Sequence, residues 1–123
     1  MIFDLLFYIN LALLITHELD AIQCHEWRMF PFIWRLNDES AYRVFILLHV
    51  PLLALIFWLI SRPDVHLNFW FQVSLDVFFM LHFCLHKLLQ NHDKNGFTTS
   101  FSRAIIFLVA FFGLIHLVAL IVR

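Results

Sequence analysis

His82 and His86 stand four residues apart. On a helix that spacing puts two imidazoles on one face, where both can approach a single ion. His17 and Asp20, three apart, make a second helical pair of ligand type, with Glu18 beside them; His49 stands alone in a third segment. Mixed histidine and carboxylate sets suit iron, manganese or zinc. Cys24 and Cys84 are too few and too far apart for an iron–sulfur centre or a thiolate zinc site, and are expected to be free thiols. Two stretches, His17-Glu18-Leu19-Asp20-Ala21 and His25-Glu26-Trp27-Arg28-Met29, begin like the zinc-protease helix. Neither has the second histidine four residues on, and the chain has no Glu-x-x-His pair of the soluble di-iron kind. Any such site must therefore be assembled from distant segments by the fold.

The surrounding composition says what that fold is. Of 123 residues, 63% are hydrophobic and 14% charged, and the mean hydropathy is +0.86. A soluble domain of this size could not bury so much apolar surface, so a bilayer must serve as solvent. Eight Lys and Arg with a net charge of −1 leave no basic surface for nucleic acid. An acid at Asp4, where a secretory signal would carry a basic region, predicts that the first apolar block is retained.

Four apolar blocks predict an all-α, integral membrane four-helix up-down bundle in one domain, with helices over about 2–27, 41–61, 67–90 and 101–122. Each suffices to cross roughly 30 Å of hydrocarbon, and lipid offers no partner to an open strand edge. Arg62-Pro63-Asp64 breaks the chain between helices two and three. Ser100, with Thr99 as the alternative, is the candidate N-cap of helix four. Met29 to Trp34 is expected to lie along the interface, and Pro51 to kink helix two beside His49.

Basic residues orient the bundle. Arg28, Arg35 and Arg43 flank the first connection and Lys87, Lys94 and Arg103 the third, against Arg62 and Arg123 on the other side. The positive-inside rule places the first and third connections in the cytoplasm and both termini outside, in a plasma (inner) membrane. Trp27 and Trp34 mark the cytoplasmic interface, Trp58 and Trp70 the opposite one. With orientation set, His17, Asp20, His49, His82 and His86 fall in one layer roughly 6–14 Å deep on the cytoplasmic side. At 100° per residue, His17, Asp20, Ala21 and Cys24 share a stripe of helix one, and Glu18 and His25 lie about 90° round from it.

Plainer roles compete with this reading. Asp20 and Glu26 are expected to be able to pair with Arg43 across the first hairpin, and for Glu26, near the surface, that pairing is the preferred reading. His25 and His92 read as interfacial, with His25 an alternative ligand, and His66 and His116 as structural histidines of the other side. Asp76 reads as a buried acceptor for Ser74 or a neighbouring helix.

Thr16-His17-Glu18-Leu19-Asp20-Ala21 and His25-Glu26-Trp27-Arg28, with Tyr42-Arg43-Val44-Phe45, His49-Val50-Pro51, His82 with His86, and Asn91-His92, resemble a family of small uncharacterised bacterial membrane proteins over nearly the whole chain. The chain is also distantly similar to the HXXEE-domain membrane proteins. Their His-x-x-Glu-Glu pattern would fall on His17, Asp20 and Ala21, with Asp for the first Glu and Ala for the second. The resemblance implies architecture and carries no activity.

Three functions follow as expectations. The first is a metal-binding membrane protein which, if it is an enzyme, is a metal-dependent oxidoreductase or hydrolase, with a lipid-like substrate for the oxidoreductase. His17, Asp20, His49, His82 and His86 are its ligands and Glu18 its general base. The second is an electron carrier with non-covalent haem between His17 or His49 and His82 or His86. The third is a non-catalytic subunit, or a proton or ion relay, whose polar layer fixes helix register.

Overall fold

The computed structural model describes residues 2–33 and 35–122, with side chains from Asp4 onward. Trp34 and Arg123, used above as an interface marker and a topology charge, lie outside the described residues. All regular structure among the described residues is helical: α1 (Ile2–Gln23), a single 3-10 turn (Glu26–Met29), α2 (Asp38–Ile60), α3 (Val65–Leu88) and α4 (Ser100–Val122). All four α-helices are long and apolar enough to cross a membrane, and the chain is a multi-pass membrane protein.

Local chemistry sets the helix ends. Asn37 caps α2, its Oδ1 accepting from the Ser40 N–H at 2.9 Å, so this helix begins at Asp38 rather than near Ala41. Asp64 caps α3 through the Leu67 N–H at 2.9 Å. Thr99, not Ser100, caps α4: its hydroxyl accepts from the Ser102 N–H at 3.1 Å. α1 stops at Gln23, short of the expected Trp27, because His25 adopts the left-handed conformation with φ 55° and ψ 45°. Pro51 lies within α2, which continues through it. Asn37→Ala should cost about 1 kcal/mol of stability through the lost cap, measurable as a lowered denaturation midpoint in detergent.

Lipid is as apolar as leucine, so packing and polar contacts rather than the hydrophobic effect must hold the helices together. α4 lies against both α1 and α3 in the most extensive contacts of the bundle, while α2 is held more lightly, by the 3-10 turn and α3. At the end bearing the α1–α2 and α3–α4 connections, Ala21, Trp27, Phe45, Phe97 and Ile106 form one buried cluster. Toward the other end Phe7, Leu14, Ile56, Phe79 and Val109 form a second. The 3-10 turn is pinned to the start of α2 by Asp38, which accepts from Arg28 Nε at 2.8 Å, Arg28 Nη2 at 2.7 Å and Trp27 Nε1 at 3.1 Å.

Candidate metal centre

His17 sits on α1 at a position fully shielded by the bundle, 0% exposed. His82 and His86, one turn apart on α3, face it. Their Nε2 atoms converge: His82 Nε2 lies 2.8 Å from His17 Nε2 and 3.0 Å from His86 Nε2. The fourth member is Glu26, whose Oε1 stands 3.5 Å from His86 Nε2. Ligand atoms of His17, Glu26, His82 and His86 all lie within 4.8 Å of one another, so this group can hold a metal ion. Phe97, 3% exposed, closes one side, its ring centroid 5.5 Å from that of His17 and 4.6 Å from that of His86.

The left-handed turn at His25 delivers Glu26. Had α1 continued, nine residues at 100° each would have put Glu26 on the side opposite His17. Instead the chain reverses after Gln23, and Glu26 is 5% exposed beside His86. The expected surface pairing of Glu26 with Arg43 is thereby corrected: Arg43 pairs with Glu39 one turn earlier on its own helix. Burial alone would push the Glu26 carboxyl up. The His86 ring, its Nε2 3.5 Å away, and the imidazoles of His17 and His82 outweigh it and hold the group below its ordinary range. Glu26 is thus an anion facing three nitrogens, as a cation site requires.

Proton counting makes the same point. A neutral imidazole nitrogen either donates one hydrogen or accepts one. His82 Nε2 can satisfy His17 or His86 in that way, but not both. The remaining nitrogen pair is repulsive unless a cation lies between them. With metal–nitrogen bonds of about 2.0–2.1 Å, nitrogens sharing one ion stand roughly 2.9–3.4 Å apart, close to the separations found. His17 Nδ1 is buried with no hydrogen-bond partner among the described residues, so no outer group fixes its tautomer.

The other expected ligands are placed apart from this group. His49 on α2 uses both ring nitrogens: Nδ1–H donates to the Phe45 carbonyl at 2.7 Å, and Nε2 meets Glu18 Oε2 at 2.8 Å. It therefore directs no lone pair at the other histidines. The Glu18–His49 contact is itself half-buried, with side chains 21% and 20% exposed. Asp20 is half-buried, with Oδ2 3.8 Å from the thiol of Cys24. Both cysteines are free, Cys24 buried and Cys84 exposed.

A second polar layer lies deeper. His116 Nδ1 and Asp76 Oδ2 are 2.7 Å apart, with side chains 1% and 0% exposed. The neighbour supplying Asp76 is α4, while Ser74 bonds the Trp70 carbonyl of its own helix. Asn10 clasps α1 to α4: in the orientation its surroundings require, its amide N–H donates to the Val109 carbonyl at 2.9 Å and its oxygen accepts from the Gly113 N–H at 3.1 Å. His116→Ala should cost about 2 kcal/mol by stranding the Asp76 carboxyl. Asp76→Asn, which keeps an acceptor for Nδ1–H, should cost less than half as much. Thermal denaturation of the two variants in one detergent compares them.

No curated protein and no solved structure matches the chain. A family profile matches residues 3–123. The chain belongs to that family, whose description is "Family of unknown function (DUF6713)".

Proposed function

We propose that the protein binds one divalent transition metal, iron, manganese or zinc, through His17, Glu26, His82 and His86. The observation that carries this reading is the convergence of three imidazole nitrogens and a buried carboxylate, which no arrangement of imidazole protons satisfies. Three nitrogens and one oxygen from a site without thiolate suit those metals. Glu18, held by His49, is the nearby carboxylate positioned to take and return a proton. Asp20 lies on the same turns of α1 and serves at most as an outer acceptor. The positive-inside distribution places the centre toward the cytoplasmic face of a plasma membrane.

In its enzymatic form the centre acts on a lipid-like substrate, as an oxidoreductase where the metal is iron or manganese. The supporting observation is that His86 borders clefts on two sides of α3, one shared with Glu26 and one beneath Phe97. Haem is disfavoured by the same distances. Two axial nitrogens on haem iron stand about 4 Å apart with a porphyrin between them, whereas His17 and His82 are at 2.8 Å.

Elemental analysis and an optical spectrum of gently solubilised protein test the proposal. About one metal per chain, without a Soret band, is the expected result. Protein free of stoichiometric metal after native extraction rejects it.

A further inference from the structure

Between the end of α3 and the start of α4 lies an open cleft of about 260 Å³ that ends at His86. Its walls are Phe83, Phe97, Ile106 and Phe107, and its rim carries Lys87 and Arg103. Phe107 is 51% exposed, so the cleft opens sideways toward the hydrocarbon. Phe97 is the same ring that packs against His17 and His86.

The two cations are not used elsewhere. Neither Lys87 nor Arg103 meets a carboxylate among the described residues. The Lys87 ammonium rests 6.0 Å from the centroid of the Phe83 ring at the cleft wall. Arg28 and Arg43, by contrast, are committed to Asp38 and Glu39. Polar loop groups complete the floor without competing for an anion. Asn95 donates to the Gln90 carbonyl at 2.9 Å and accepts from the Phe97 N–H at 3.0 Å, which spends its amide on holding the loop.

We infer that this cleft binds a single-chain anionic amphiphile, its charged head between Lys87 and Arg103 and its chain along Phe83 and Phe107. A free anion would find the cations but would leave the aromatic walls uncovered. An uncharged lipid would leave the Lys87 ammonium and the Arg103 guanidinium at the rim without an anionic partner. The volume is smaller than the roughly 300–1,000 Å³ of pockets that enclose a whole ligand and suits a head and the first part of one chain. The rest of the chain lies in the bilayer. Paired basic side chains at the membrane surface attract anionic heads in this manner. That such a ligand is also a reactant, because its head-proximal carbons pass His86, rests on the metal reading; that it binds does not.

The test uses full-length protein in dodecylmaltoside, stripped of metal with EDTA, so that it stands apart from the fate of the metal proposal. The probe is cis-parinaric acid, whose own fluorescence rises on binding. Saturable binding is expected, weakened at least about tenfold in the double variant Lys87→Gln/Arg103→Gln. Lys94→Gln, an exposed basic residue of the same loop that borders a different cleft, should change binding less than about twofold. Inorganic phosphate should not displace the probe. Any one of four results overturns the proposal: no saturation, equal affinity for parinaric methyl ester, displacement by phosphate, or as large a loss in Lys94→Gln as in the double variant. All three substitutions alter exposed side chains, and thermal denaturation of both variants confirms that the fold is kept.

Discussion

His82→Ala is expected to abolish metal binding while leaving the helical bundle assembled. His82 Nε2 approaches both other imidazole nitrogens of the group, at 2.8 and 3.0 Å. Its loss leaves His17 and His86 without their common neighbour. Removing groups that merely hydrogen-bond a ligand costs about 10–100-fold in metal affinity, so removal of this ligand should cost more than about a hundredfold. The side chain is only partly buried, and the polar contacts of Asn10, Asp76 and His116 that tie α1, α3 and α4 remain. Metal content after dialysis and the melting shift on adding metal provide the readouts. A bound ion stabilises the folded state by mass action, so the wild-type midpoint should rise with added metal and that of His82→Ala should not. His49→Asn is the informative companion. His49 bonds Phe45 and Glu18 rather than the cluster, so this variant should retain its metal. Equal loss from both would restore His49 as a ligand.

The largest purely structural effect is expected at Gly96. A Cβ built there would lie 2.1 Å from the Cys24 carbonyl oxygen and 2.8 Å from its carbon. Both atoms are backbone, at the point where α1 ends, so no rotamer change can relieve the clash. Gly96→Ala must push the α3–α4 connection away from α1, at a cost of about 3 kcal/mol or more. The displaced residue next in sequence is Phe97, which walls the histidine group. Metal affinity should therefore fall together with stability, and cleavage at Lys94 by trypsin should accelerate. Gly113→Ala offers the contrast. Its Cβ would lie 3.2 Å from the Asn10 amide and 3.2 Å from Phe79, side-chain atoms that need give only a few tenths of an ångström, so its effect should be smaller. Denaturation midpoints and metal content of the two variants, measured side by side, decide the comparison.

Which of these features the sequence made legible follows from what each depends on. Four membrane-length helices follow from hydropathy alone, because lipid permits little else. The meeting of His17, His82 and His86 followed from depth, since all lie on the last turns of helices entering the same face. His49 and Glu18 share that height and yet form a separate pair. Depth counting is silent about azimuth, and Glu18 lies about 100° round α1 from His17, on the flank that α2 occupies. Glu26 was missed because nothing in His25 announces a left-handed turn. Extrapolating α1 through it sends the carboxylate to the wrong side. The Asp76–His116 pair escaped for a different reason. Counted from their shared end, Asp76 lies about 16 Å into α3 and His116 about 9 Å into α4, so unequal protrusion of the helix ends hides their meeting.

α4 touches both α1 and α3 and supplies the partner of Asp76. This has a consequence for biosynthesis. During translation α1, α2 and α3 leave the ribosome first, and until the last helix arrives Asp76 has no His116 and Asn10 no Val109 carbonyl. An acid near the middle of a membrane helix costs about 2.5–3.5 kcal/mol on insertion. The nascent three-helix chain therefore carries that cost unpaired until α4, the most hydrophobic of the four helices, arrives to offset it.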